Sequence, residues 1–239
     1  MTFISRRVLL KRAAAVGAVG VPASRSAESL ALHPPAGDQP GAPAFQASGR
    51  AAAREPLETL TASEADILDA IVARLIPTDA SGPGATEARA AHYIDRALGG
   101  PLASSRQVYT SGLAALDRFA QSSRGKAFTE LAPADQDAVL TDVEAGKATG
   151  FTGSAAFFAL VLNHTHQGTF GDPYYGGNAN FVGWDLIGYP GVRTMVTAAD
   201  QQRLEKGDLK SNHKSAYDYD SFTKASARAS SHREVKHGD

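Results

Sequence analysis

An all-α fold is what this sequence predicts: one helical domain of about five to seven helices, carrying a long irregular glycine- and aromatic-rich loop, between flexible termini. Three observations point there. Apolar residues recur at helical spacing in successive segments between residues 57 and 198. Capping and breaking residues sit at the ends of those segments. No stretch of strand length alternates apolar with polar residues, and a composition abundant in alanine with only 8% aromatic residues favours helix over sheet.

The first helix opens at Thr61-Ala62-Ser63-Glu64, a capping-box pattern in which the threonine hydroxyl accepts from an early amide and Glu64 reaches back. Ile67, Leu68, Ile71, Val72, Leu75 and Ile76 then form one apolar stripe, and Pro77 stops it. Gly82-Pro83-Gly84 makes a turn. A second helix is expected from Thr86 to Leu98, ended by Gly99-Gly100. A third runs from about Pro101 to Ala120, burying Val108, Gly112, Leu116 and Phe119. Ala132-Pro133 opens a fourth, with proline in the first turn, where its missing donor costs nothing; its apolar positions are Val139, Leu140 and Val143. The nearby Asp135 and Asp137 suit the positive end of the helix dipole. Ser154 caps a fifth, which contains Phe157, Phe158, Val161 and Leu162.

Both flanks read differently. Residues 24–56 carry Pro34, Pro35, Pro40, Pro43 and Pro56 among Ser, Gly and Ala, a linker composition too poor in large apolar residues to offset the entropy of ordering. From 199 to 239 the chain is mostly Lys, Ser, Asp and His, with isolated Leu204, Leu209 and Phe222, and reads as a polar, flexible tail.

Residues 1–23 have the layout of an export signal: basic Arg6, Arg7, Lys11 and Arg12, no acidic residue before Glu28, then a mildly apolar stretch ending Val21-Pro22-Ala23. About eleven apolar residues are too few to span a bilayer. Arg6-Arg7, followed after one residue by Leu9 and Leu10, resembles the twin-arginine motif, whose translocase carries folded cargo. The blander alternatives are an ordinary export signal with two arginines, or a basic arm.

Composition narrows the chemistry. With no cysteine there is no disulfide, thiolate catalysis, iron–sulfur ligation or thioether-attached haem in this chain. A formal charge of −1 argues against a nucleic-acid binder. Gly82-Pro83-Gly84 and Gly176-Gly177 lack the lysine and helix of a phosphate-cradling loop, so no flavin or nicotinamide site is expected. No nucleophile elbow occurs; Ser63 and Ser154 sit where helix caps belong.

The most distinctive stretch runs from His164-Thr165-His166-Gln167 through Phe170-Gly171-Asp172-Pro173-Tyr174-Tyr175-Gly176-Gly177-Asn178 to Trp184 and Ile187-Gly188-Tyr189-Pro190-Gly191. Glycines permit positive φ, Pro173 fixes a turn and the rings supply flat contact area. The histidines raise a metal or acid–base site with Asp172 as the rival reading. On a continuing helix, though, residues two apart lie about 200° apart around the axis and cannot share an ion. The aromatics fit either a partner-docking surface, as interface centres favour such residues, or the filling of the protein's own core.

Several stretches together resemble the gluconate 2-dehydrogenase subunit 3 family. They are Leu60-Thr61 with Glu64-Ala65, Ala73-Arg74-Leu75-Ile76-Pro77-Thr78-Asp79, Gly82-Pro83-Gly84-Ala85, Tyr93-Ile94-Asp95-Arg96-Ala97-Leu98 and Leu131-Ala132-Pro133-Ala134-Asp135-Gln136, then the loop from Phe170 to Asn178, Trp184 and Ile187 to Gly191. The resemblance covers roughly residues 57 to 191 in unbroken order. It implies a cofactor-free helical subunit that accompanies a large FAD-bearing dehydrogenase subunit, joined in some complexes by a haem-bearing cytochrome c subunit. It further implies an escort that carries the twin-arginine signal for the flavoprotein to the periplasm, at the outer face of the cytoplasmic membrane. Partner contacts are then expected at His164, Phe170, Asp172, Pro173, Tyr175, Gly176, Gly177, Asn178, Trp184, Gly188, Tyr189 and Pro190. The chain departs from the family in its long polar tail and in His166-Gln167, where a glutamate is expected.

Overall fold

In the computed structural model, whose described residues are 56–220 and 222, helix begins where the capping box puts it. Thr61 caps α1 (Ala62–Leu75): its hydroxyl accepts from the Glu64 amide, and the Glu64 carboxylate accepts from the Thr61 amide. The predicted stripe Ile67, Leu68, Ile71, Val72 and Leu75 is buried. The export signal with Arg6, Arg7, Leu9 and Leu10, the 24–56 linker up to residue 55 and the far end of the tail lie outside the described residues.

Helix α2 (Ala90–Leu98) starts four residues later than the Thr86 expected from sequence. The intervening segment is tied back on the preceding turn instead: Glu87 accepts from the Gly84 amide at 2.9 Å and from the Thr78 hydroxyl at 2.5 Å. Arg89 then enters α2 from the left-handed region, at φ 60°. Helix α3 (Arg106–Arg124) is likewise shifted, since Ala103–Ser105 form a single 3₁₀ turn. Val108, predicted inside, is 43% exposed, because the neighbouring Tyr109 takes the core-facing angle with Gly112, Leu113, Leu116 and Phe119. Helix α4 (Pro133–Glu144) has the expected proline start and buries Val139, Leu140 and Val143. Asp137 does more than suit the dipole, since it binds Arg74 of α1 through two bonds of 2.7 Å.

Helix α5 (Ser154–Phe170) is entered through Gly153 in the left-handed region rather than capped by Ser154, which lies buried in its first turn. It contacts α1, α2, α3 and α4 and so forms the centre of the bundle. Two glycines set that packing. A Cβ on Gly112 of α3 would stand 2.2 Å from the Phe157 ring of α5, and one on Gly168 would stand 2.9 Å from the Ala90 Cα of α2. After the loop come α6 (Val182–Ile187) and α7 (Ala198–Lys206). Among the described residues there are seven α-helices and no strand, only an isolated bridge between Asp79 and Gly82. No described helix is long and apolar enough to cross a membrane.

The stretch from 199, read as flexible tail, is polar as predicted: nothing between residues 192 and 214 is buried. It nevertheless contains most of α7 and a return segment that lies on the loop. Thr197–Asp200 and Ser215–Asp218 each form a capping box, giving these segments local structure without a core of their own.

Candidate functional site: the glycine–aromatic loop

The loop begins where Gly171 leaves α5. Asp172 caps a 3₁₀ turn, Pro173–Tyr175, by accepting from the Tyr174 amide at 2.9 Å. The chain then runs back along the end of α5. A Cβ on Gly177 would stand 2.1 Å from the Gly168 carbonyl oxygen, and one on Gly183 would stand 1.8 Å from that of Thr169, so only glycine permits the approach.

Asn178 holds this turn together from inside. It is fully buried; its amide donates to the Gly168 carbonyl at 2.7 Å and its side-chain NH₂ to the Gly171 carbonyl at 2.8 Å, while its side-chain oxygen accepts from the Gly183 amide at 2.8 Å. The backbone around it is strained: Asn178, Asn180 and Phe181 have φ of 44°, 54° and 61°. Asparagine tolerates that region, whereas an aromatic residue there costs energy that the surrounding contacts must offset.

Trp184, on α6, is 5% exposed and donates its indole N–H to the Phe170 carbonyl at 2.9 Å. Phe181 and Tyr189 pack on its ring, with centroids 5.4 and 4.7 Å away. The twelve residues expected at a partner interface therefore divide. Gly177, Asn178 and Trp184 are buried inside the loop, and His164 is buried in the bundle against Tyr109. Phe170, Asp172, Pro173, Gly176 and Pro190 are half-buried, and Tyr175, Gly188 and Tyr189 are exposed, together with Tyr174 and Ile187. Of the aromatics, Trp184 fills the protein's own interior, while Tyr174, Tyr175 and Tyr189 stand at the surface.

The histidines behave as helix geometry requires. Helix α5 continues through both, so they face different sides. His164 stacks parallel to Tyr109 and its Nδ1 lies 3.0 Å from the Tyr109 hydroxyl. Burial pushes the His164 pKa down and that of Tyr109 up, which keeps both neutral. His166 is half-buried beside Phe170, its pKa also lowered by burial. Asp172 is occupied by the Tyr174 amide, the Ser215 hydroxyl at 2.7 Å and the Ala216 amide at 3.2 Å. The three side chains of the rival site thus each have separate partners, and no group of three or more His, Cys, Asp or Glu among the described residues could hold a metal ion.

Two features escaped sequence reasoning. Asp95, 2% exposed, accepts from the amides of Glu58, Thr59 and Leu60 at 2.7, 3.0 and 2.6 Å and anchors the chain ahead of α1. The other is the return segment: Tyr217 stacks on Tyr174 at 3.6 Å, and its hydroxyl lies 2.8 Å from that of Tyr175. The Ser215-to-Asp218 capping pattern was its one legible signal.

Comparison with known proteins adds one match. The family model described as Gluconate 2-dehydrogenase subunit 3 matches residues 62–191, more than half of the 239-residue chain. The match starts at the first residue of α1 and ends at Gly191, the last residue of the loop. No curated protein and no solved structure matches.

Proposed function

The chain belongs to the gluconate 2-dehydrogenase subunit 3 family, and from that premise we propose that it is the non-catalytic small subunit of an exported FAD-dependent sugar or alcohol dehydrogenase complex. The observation that carries the proposal is the family match, which spans the helical bundle and the loop from end to end. In this reading the flavoprotein subunit holds FAD and performs the oxidation. A cytochrome c subunit, where present, passes the electrons on.

The helical body is the docking scaffold. Tyr174, Tyr175, Ile187 and Tyr189 provide exposed ring and aliphatic surface, held by a loop whose interior is fixed by Asn178 and Trp184. Rigid aromatic surface at low entropic cost is what interface centres favour. That His164, His166 and Asp172 are each engaged elsewhere supports an accessory role over a self-contained catalytic or metal site.

The N-terminal Arg6-Arg7 pair gives the complex its address. The twin-arginine translocase moves folded cargo, so one signal on this subunit serves a cofactor-loaded partner docked to it. The site of action is then the periplasm, at the outer face of the cytoplasmic membrane. The test is to replace Arg6 and Arg7 by lysine in cells that also make the flavoprotein subunit of the complex. Both proteins should stay in the cytoplasm; normal export of the flavoprotein would overturn the escort role. Purified alone, the chain should show no flavin absorbance and no dehydrogenase turnover, and co-purification of the flavoprotein with the wild-type chain tests the subunit role itself.

A further inference from the structure

Residues 208–219 fold back over the loop face using backbone bonds, exposed and part-buried side-chain hydrogen bonds, and ring stacking. The Asn212 amide donates to the Pro190 carbonyl at 3.1 Å, and the Val192 amide to the Lys214 carbonyl at 3.0 Å. His213 stacks on Phe181 at 5.1 Å and its Nε2 lies 2.7 Å from the Asp185 carboxylate. Ser215 and Ala216 bind Asp172, and Tyr217 covers Tyr174. Of the whole segment only Ser215 is buried.

Such a segment is held weakly. None of its side-chain hydrogen bonds is fully buried, since they are exposed or part-buried and each contributes modestly, and Ser215 is its one buried residue. His213 also sits at φ 47°, a left-handed conformation that works against the closed state. The loop beneath does not depend on it, since the Asn178, Gly183 and Trp184 contacts close within residues 168–184. The segment also lies wholly outside the family match, which stops at Gly191.

We propose that residues 208–219 are a detachable strap. In the free chain it covers the loop face, and an extended segment of the flavoprotein subunit displaces it on docking. This rests on the reading of the loop as the docking face. The strap shows the chemistry that a replacement has to match. It pairs backbone to backbone with Pro190–Val192, as a peptide added to an exposed edge does. It also presents a hydroxyl to Asp172 flanked, two residues away on each side, by rings that stack on Phe181 and Tyr174. The incoming segment therefore carries a small hydroxyl residue between two aromatic residues. Opening the strap frees the faces of Phe181 and Tyr174 and the Asp172 carboxylate at once, so binding draws on the fraction of molecules that are open.

Three versions of the chain test this against the flavoprotein subunit of the proposed complex: the full chain, the chain ended at Gly207, and the Ser215→Ala/Tyr217→Ala double variant. If the strap is closed in about nine of ten free molecules, both altered chains bind about tenfold more tightly than the full chain. Hydrogen exchange supplies a second readout: on docking, amides of residues 211–217 lose protection while the Val192 amide keeps it. Unchanged or weaker binding by both altered chains, or increased protection of residues 211–217 on docking, overturns the strap. Failure of all three chains to bind removes the docking reading and the strap with it. Binding by the full chain with the strap still protected removes the strap alone.

Discussion

Asn178 is the residue on which the shape of the loop turns, and Asn178→Ala puts a number on it. The alanine keeps the backbone bond to Gly168 but leaves the buried Gly183 amide and the Gly171 carbonyl without partners. Each lost partner costs roughly 1–1.5 kcal/mol. Holding alanine at the φ of 44° found here adds about 1 kcal/mol. The expected loss is therefore about 3–4 kcal/mol, a large share of the stability of an ordinary domain. Asn178→Gly removes the same two bonds without the left-handed penalty, so it should be milder by about 1 kcal/mol. Equilibrium urea unfolding of the full chain measures both, followed by far-UV circular dichroism and by fluorescence. Trp184 is the only tryptophan and sits against Phe170 in the loop, so its emission reports on this region directly. Its emission should shift to longer wavelength in Asn178→Ala as water reaches the indole. A loss below about 1 kcal/mol in both variants, with Trp184 emission unchanged, would refute Asn178 as the loop's internal staple. Equal losses in the two would refute the backbone part of the argument.

Other outcomes follow from the same contacts. Gly112→Ala drives a methyl into the Phe157 ring and should cost about 1–3 kcal/mol, read as a lowered Tm, with a larger loss for Gly112→Val. Asp95→Ala strips the partner from three amides ahead of α1 and should cost about 3 kcal/mol in urea unfolding; a change under about 1 kcal/mol would show that water replaces the carboxylate without penalty. Stability should also fall with acid in two stages. Burial holds His164 and His166 below their ordinary pKa, so the unfolded chain takes up protons first and stability declines as pH drops below about 6.5. Burial opposes ionisation of Glu64, but the bonds from Arg106 and Thr61 outweigh it and hold its pKa at about 2. The Glu64 contribution is therefore complete above about pH 4.5 and lost as pH falls towards 2, and Glu64→Gln should flatten that second stage in an acid titration followed by circular dichroism.

How much of this was legible beforehand differs by element. The start of α1 was readable to the residue, because a capping box is a local hydrogen-bonding pattern within four positions. The start of α4 was readable for the same reason, since proline acts on its own turn. The start of α2 was not: whether Thr86–Arg89 continues as helix depends on Glu87 reaching back to Thr78 and Gly84, a choice between two bonding schemes that propensity cannot rank. Val108 and Tyr109 are adjacent apolar residues, and only the position of α5 decides that Tyr109 faces the core and bonds His164.

The candidate site divides along the same line. Sequence by itself determined the family, the helical class, the presence of a loop built from glycines and rings, and the separation of His164 from His166, since each of these depends on residue type and near spacing. Tertiary structure alone decided which loop residues face inward. Asn178 and Trp184 are spent on holding the loop, Tyr174 and Tyr175 remain at the surface, and Asp172 is taken by Ser215, forty-three positions away in the chain. Burial and hydrogen-bond partnership at that separation follow from how the segments close on one another, and no local pattern encodes that.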